Sequence, residues 1–141
     1  MPNASRIALV LGATGGETAL ALSRHGWRVR ALSRTTSHAS GSPEWEWVKG
    51  DALDRASVLG AAEGVNAIVH AVNPPDYRNW AKLGLPMIDN TIAAARASRA
   101  RILLPETIYN YGPGAFPASS EESPRMRRRT KEEFASSWRR N

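Results

Sequence analysis

Short apolar runs alternate along the chain with segments whose apolar residues recur at helical spacing. Each run is typical of a strand that is buried on both faces of a parallel sheet. The predicted strands lie at 6–11, 27–32, 45–48, 66–71 and 101–104. Helices are predicted at 17–25, within 51–64 and at 87–99, the last beginning after Pro86. The inward positions of this last helix are Met87, Ile88, Ile92, Ala94 and Ala95.

The alternation of strands and helices predicts an α/β fold, because right-handed crossovers place helices on both faces of a parallel sheet. We expect a doubly wound parallel sheet in a three-layer α/β/α domain, with the strand order 3-2-1-4-5. The first strand is then central, and the glycine turn at 12–16 lies at the switch point between strands 1 and 4. Ligands of such sheets bind at this point, outside the carboxyl ends of the strands.

The length of 141 residues and the apolar content of 42% fit one domain. Cysteine is absent, and His25, His38 and His70 offer no ligand pair at helical spacing, so we expect no metal site. The apolar runs are shorter than the about 18 to 20 residues of a membrane span, and the first residues do not resemble a secretory leader. We therefore expect a cytoplasmic protein that does not enter a membrane.

Most of the net charge of +6 belongs to the end of the chain. Residues 1–124 carry 12 basic and 11 acidic side chains, whereas residues 125–141 carry seven basic and two acidic ones. We divide the chain into a nearly neutral domain at 1–124 and a basic tail at 125–141, in which Phe134 and Trp138 lie one helical turn apart. A solvated, frayed terminus is the preferred interpretation of the tail, and binding of nucleic acid or an anionic membrane is the alternative.

A glycine turn formed by Gly12, Gly15 and Gly16 follows the first predicted strand and opens a predicted helix. Glycines permit a tight turn and let backbone N–H groups approach a phosphate at the helix N-terminus, and Thr14 lies among them. A purely structural turn would need the same residues. The position of the turn inside a βαβ unit of about 30 residues favours a dinucleotide site.

Arg34 follows the second strand, where an acidic side chain would bind the ribose 2′-hydroxyl of NAD. An arginine there favours the 2′-phosphate of NADP, so we predict NADP as the cofactor and keep NAD as the alternative. Asp51 follows the third strand, and Ala71, Val72 and Asn73 follow the fourth, at the same edge of the sheet. Asp51 could instead cap a helix, and Asn73 could belong to a turn.

Five segments follow one another along the chain, namely LGATGG, HGWRVRALSR, GDALD, IVHAVNPP and ILLPETIYNYGPGAFP. In this order they resemble the extended and atypical short-chain dehydrogenase/reductases, specifically the NAD-dependent epimerase/dehydratase group, over residues 6 to 124. The resemblance implies a Rossmann-like fold and an oxidoreductase with a dinucleotide cofactor. It maps the pyrophosphate turn to Gly12 and Gly15, the 2′-phosphate contact to Arg34, the adenine contact to Asp51, and the nicotinamide-side loop to Ala71 and Val72.

The glycine turn departs from the family pattern G-A-T-G-x-x-G, whose third glycine would fall at Thr18. The segment from Gly12 to Gly26 is also shorter than in the family, and one small deletion in the turn explains both differences. Glu17 then enters the first turn of the helix. Pointing inward, its carboxylate would repel a pyrophosphate by roughly 4 kcal/mol, and pointing to solvent it would cost little. We expect weaker cofactor binding than is usual in the family.

The catalytic pair Tyr-x-x-x-Lys of the family is absent from the sequence. In that pair the phenol exchanges a proton with the substrate oxygen, and the lysine one helical turn on lowers the pKa of the phenol. The resemblance maps the family's hydroxyl-bearing residue to Thr107, while Tyr109 and Tyr111 are the substitutes for the phenol. Packing is the more common role of such tyrosines, and we expect little or no turnover.

Two functions therefore compete. The first is the NADP-preferring domain of an epimerase/dehydratase-type oxidoreductase, and the second is a dinucleotide-binding module without catalysis, either regulatory or degenerate. The tail resembles nothing in the family, and we expect a truncation or a frameshift near Pro124. The sequence does not determine the small-molecule substrate or the oligomeric state, and it does not favour nucleic-acid binding by residues 1–124.

Overall fold

Five parallel strands form one sheet in a computed structural model of the chain, which describes residues 5–12, 15–35, 44–74 and 79–105. The strands are β1 (Ile7–Leu11), β2 (Arg28–Ser33), β3 (Glu46–Lys49), β4 (Ala67–His70) and β5 (Arg101–Leu103). The helices of the described residues are α1 (Gly16–Arg24), α2 (Arg55–Ala61) and α3 (Trp80–Ser98). The strand order is β3-β2-β1-β4-β5, and every neighbouring pair is parallel. The predicted α/β class and doubly wound order are confirmed.

The central strand β1 is apolar along its whole length, which suits a strand covered on both faces. Alternate residues of a strand point to opposite faces of the sheet. Leu11 accordingly packs in one cluster with Val58 of α2 and Ala94 of α3. Val10 belongs to a second cluster, with Ala19 of α1. Helices therefore cover both faces of the sheet and form the three predicted layers.

Side chains cap the short helix α2 at both ends. The Asp54 carboxylate accepts hydrogen bonds from two backbone N–H groups of the first turn, at 3.2 and 3.3 Å, and from the Ser57 hydroxyl at 2.6 Å. The hydroxyl contact is the main reason why the pKa of Asp54 lies below its ordinary value. At the other end, the Arg30 guanidinium of β2 donates to the carbonyls of Ala61 and Glu63 at 2.7 and 2.8 Å. These contacts tie α2 to the sheet.

Helix α3 begins at Trp80, so the boundary predicted at Pro86 is wrong. The Asn79 carbonyl accepts hydrogen bonds from the N–H groups of Lys82 and Leu83, at 2.8 and 3.0 Å, which closes a first turn well before the proline. Pro86 lies inside the helix and is exposed. Proline removes one backbone donor, and on an exposed face water can bond to the carbonyl that this donor would have reached. An exposed proline is therefore a weaker stop signal than the sequence suggests.

Candidate functional site

Gly12 and the end of β4 meet at the carboxyl edge of the sheet. The strands are held together there by a hydrogen bond of 2.9 Å from the Ala71 N–H to the Leu11 carbonyl. Gly12 has a φ of +97°, and a Cβ atom on it would lie 2.4 Å from the Ala71 carbonyl oxygen and 2.6 Å from the Val72 Cα. Both the backbone conformation and the missing space require glycine at this position. The two chain segments therefore lie in close contact at the switch point between β1 and β4.

Gly15 continues this close approach at the start of α1. Its N–H donates to the Gly12 carbonyl at 3.1 Å, and a Cβ atom on Gly15 would lie 2.5 Å from the Val10 Cγ1. Gly15 is the N-cap residue, and no described side chain caps the first turn of α1. A Cβ on Gly16 would meet open space. The first backbone N–H groups of α1 therefore have no cap from a described side chain, and Thr14 lies outside the described residues.

Glu17 lies in the first turn of α1 and is exposed. Its carboxylate is therefore in contact with water, which weakens its repulsion of a nearby anion. The orientation of the side chain relative to a bound pyrophosphate stays a prediction.

Two cations lie at the carboxyl ends of β2 and β3. Arg34 follows the last residue of β2 directly and is exposed. Lys49 ends β3, is also exposed, and is the register partner of Ser33 in the parallel ladder. The sequence analysis missed Lys49, because its place beside Ser33 depends on the strand register. This corner of the sheet edge is positively charged and suits an anion.

Asp51 forms a local turn after β3. Its Oδ1 accepts a hydrogen bond from the Leu53 N–H at 2.9 Å, and its backbone carbonyl accepts one from the Asp54 N–H at 3.0 Å. The N-cap of α2 is Asp54, which follows Asp51 by three residues, so Asp51 does not have the capping role considered from the sequence. The half-buried Asp51 carboxylate therefore has a fixed position at the carboxyl edge.

The residues after β4 differ in burial. Ala71 is buried, Val72 is partly buried against the apolar cluster on the α2 and α3 side, and Asn73 is exposed. The three therefore lead from the core to the surface at the same edge as Gly12. The predicted catalytic candidates Thr107, Tyr109 and Tyr111 lie outside the described residues.

Buried polar groups lie directly behind the end of β4. The His70 Nδ1 is 2.8 Å from the Thr91 Oγ1, and the Thr91 hydroxyl donates to the Met87 carbonyl at 3.1 Å. Because that hydroxyl has one proton, His70 donates from Nδ1 and its lone pair is at Nε2. Burial lowers the pKa of His70, which favours the neutral ring. The sequence analysis missed this contact, since Thr91 interrupts an apolar face.

The described ranges contain no group of three or more histidine, aspartate and glutamate side chains that could hold a metal ion. None of the helices in the same ranges is long and apolar enough to cross a membrane.

Solved structures share this fold. A protein described as an epimerase from Burkholderia cenocepacia J2315 has a TM-score of 0.70 and 22% identity, over 94% of this chain and 46% of that one. Uronate dehydrogenase from Agrobacterium tumefaciens, a mutant complexed with NAD, has a TM-score of 0.59 and 25% identity, over 77% of this chain and 43% of the enzyme. For glucuronic acid dehydrogenase from Chromohalobacter salexigens the TM-score is 0.60 and the identity 23%, over 77% and 43% of the two chains. The chain spans less than half the length of these proteins.

One of the two sequence comparisons gives a match. No curated protein matches the chain. A family model described as NAD(P)H-binding matches residues 11–139, which is most of the sequence. This match includes the glycine turn, the ends of β2 and β3, and the residues after β4. The chain therefore belongs to the NAD(P)H-binding family, as the resemblance of its motifs implies.

Proposed function

We propose that the chain binds NADP(H) at the carboxyl edge of the sheet, as the dinucleotide-binding domain of an epimerase/dehydratase-type oxidoreductase. The observation that carries the proposal is the close contact between Gly12 and the main chain of Ala71 and Val72, which a Cβ atom on residue 12 would disrupt. Glycine lets the two main chains lie this close together, and the N–H groups at the start of α1, which no described side chain caps, suit a pyrophosphate. Gly15 and Gly16 complete the turn, with Thr14 as a further proposed contact.

The preference for NADP over NAD rests on Arg34. An exposed guanidinium at the end of β2 can donate two parallel hydrogen bonds to a phosphate, whereas NAD offers only a ribose hydroxyl there. Lys49, at the end of the neighbouring strand, adds a second positive charge to the same corner. Hydrogen bonds to a charged group contribute about 1.5–3 kcal/mol, which corresponds to roughly 10- to 150-fold in affinity.

The remaining proposed contacts follow the edge from the adenine to the nicotinamide. Asp51, held in its turn by the Leu53 N–H, would contact the adenosine end. Ala71, Val72 and Asn73 would line the nicotinamide end, next to the close approach of Gly12. The nicotinamide supplies the hydride chemistry when it is bound, and the residues of this chain hold and orient it.

We expect little or no turnover from the 141-residue chain, because the sequence has no Tyr-x-x-x-Lys pair. A positioned acid or base contributes about 10²–10⁴-fold to such reactions. The Thr107 hydroxyl can donate a hydrogen bond to a substrate oxygen, but it is far too weak an acid to give up its proton near pH 7. Tyr109 and Tyr111 are the substitutes that we propose for the missing phenol, because they lie in the segment that resembles the family's motif after the fifth strand.

Calorimetric titration of the chain with NADPH and NADH tests the binding proposal. We expect NADPH to bind more tightly than NADH, and Arg34→Asp to reverse this order. Arg28→Asp is the matched control, since Arg28 is an exposed arginine at the opposite end of the same strand. The control should leave the ratio of the two affinities unchanged. Absence of binding would refute the site, and an unchanged ratio in Arg34→Asp would refute the assignment of Arg34.

Steady-state NADPH oxidation tests the expectation of low turnover. The substrates are a panel of sugar nucleotides, ketones and aldehydes. A turnover near the enzyme median of about 10 s⁻¹ would contradict the expectation. Loss of such turnover in Tyr109→Phe or Tyr111→Phe would assign the proton transfer to that tyrosine.

A further inference from the structure

Asn90 of α3 is buried and points away from its own helix to the loop between β3 and α2. Its carboxamide Nδ2 donates to the Ala52 carbonyl at 3.0 Å and to the Leu53 carbonyl at 3.1 Å. An amide NH₂ has two protons, so both are used on this loop. The contact joins segments that are 37 and 38 residues apart in the sequence.

The peptide group between Ala52 and Leu53 connects Asn90 with Asp51. Its carbonyl is the Ala52 oxygen that accepts from Asn90, and its N–H is the Leu53 group that donates to the Asp51 Oδ1 at 2.9 Å. A peptide group is planar, so the bond at one end fixes the direction of the other end. A donor at the carbonyl also polarises the N–H and strengthens its bond to the carboxylate. Asn90 thus acts on Asp51 through one rigid peptide.

α3 also packs on α2 through residues other than Asn90. Both helices contribute buried residues to one apolar cluster, among them Val58 and Ala61 of α2 with Ala94 and Ala95 of α3. Loss of the Asn90 side chain therefore leaves this apolar contact in place. The structural effect of such a loss falls on the loop rather than on the helix pair.

We propose that Asn90 is a positioning residue for the adenosine end of the cofactor, because it fixes the Asp51 carboxylate through the Ala52–Leu53 peptide. The inference rests on the proposed function, in which Asp51 contacts the adenosine end. It adds a residue from α3, which follows β4, to a subsite whose other members, Arg34 and Asp51, follow β2 and β3. Asn90 itself does not touch the cofactor.

Three variants separate this role from a general structural one. Asn90→Ala removes the donor, and Asn90→Asp places a carboxylate against two carbonyls in nearly the same volume. Asn66→Ala is the matched control. The Asn66 Oδ1 accepts from the Ile7 N–H at 2.9 Å, so the control also loses one asparagine contact to the backbone, but at the amino edge of the sheet.

Amide hydrogen exchange without cofactor gives the first measurement. We expect exchange of the Leu53 N–H to become about 5- to 20-fold faster in Asn90→Ala, as the loss of one or two hydrogen bonds implies, and unchanged in Asn66→Ala. An unchanged Leu53 rate in both Asn90 variants would overturn the inference. The result of this measurement does not depend on whether the chain binds a cofactor.

A double-mutant cycle on the NADPH dissociation constant gives the second measurement. We expect Asn90→Ala to weaken binding about 5- to 20-fold in the wild-type background and to have no further effect in the Asp51→Ala background. Equal effects in both backgrounds would mean that Asn90 does not act through Asp51, and this would overturn the inference. If the wild-type chain bound neither NADPH nor NADH, the proposed function and the adenosine role would both fail. In that case the exchange data would still show whether Asn90 orders the loop.

Discussion

Gly12→Ala tests whether the close approach of β1 and β4 is as rigid as the geometry indicates. An L-residue at a φ of +97° loses about 1–2 kcal/mol through backbone strain. The added Cβ would also lie 2.4 Å from the Ala71 carbonyl oxygen, and overpacking of this kind typically costs about 1–3 kcal/mol. The expected loss of unfolding free energy is therefore about 2–5 kcal/mol. That is a large part of the about 5–15 kcal/mol that stabilise a typical domain.

Other glycines of the chain separate the two contributions. Gly26 has a φ of +77° with open space around it, so Gly26→Ala measures strain alone, about 1–2 kcal/mol. Gly15 has a φ of −76°, so Gly15→Ala measures the overlap with a side chain alone. Gly16 is helical with open space, and alanine there should stabilise the chain by about 0.5–1 kcal/mol.

Urea unfolding at constant pH measures all four variants. The order of stability should run from Gly16→Ala, the most stable, to Gly12→Ala, the least stable. The reasoning would be refuted if Gly12→Ala cost no more than Gly26→Ala, because the second contribution would then be absent. NADPH titration of the same proteins should show the largest loss of affinity in Gly12→Ala, where the main chain must move at the proposed pyrophosphate site.

Further predictions concern the polar contacts. Because the pKa of buried His70 is lowered in the fold, the unfolded chain binds more protons there, and stability should fall as the pH drops below about 6.5. Urea unfolding at a series of pH values checks this, and an undiminished slope in His70→Gln would contradict it. Arg30→Met should destabilise the fold by about 1–3 kcal/mol through loss of two carbonyl contacts, measured by thermal unfolding against Arg28→Met. Asp54→Ala should destabilise the chain at neutral pH. Since the pKa of Asp54 is lowered, this difference should shrink as the pH falls below about 3.9, and a constant difference would count against the cap.

The sequence predicts the strands well and the polar contacts poorly, for a physical reason. The residues of β1 are all apolar and end at glycine, a local pattern that determines both the strand and the turn. The partners of Lys49 and Asn90 depend on strand register and helix rotation, which no short segment contains. The start of α3 differs from the prediction because Pro86 is exposed, and the exposure of a residue cannot be inferred from a short segment.

The same difference between local patterns and contacts of distant segments applies to the candidate site. Gly12 and Arg34 directly follow β1 and β2, and Gly15 is the N-cap of α1, because the order of elements alone determines that edge. The side chains that orient the groups at this edge come from distant segments of the chain, which the local pattern does not show.

The atoms that crowd Gly12 and Gly15 also determine how freely each position can change in evolution. A Cβ on Gly15 would strike the Cγ1 of Val10, so a smaller residue at position 10 could make room for it. A Cβ on Gly12 would strike backbone atoms of Ala71 and Val72, and every amino acid has these atoms. No single replacement at those two positions can therefore compensate for a change at Gly12. Position 15 can therefore change together with position 10, whereas position 12 must stay glycine for as long as β1 and β4 remain neighbours.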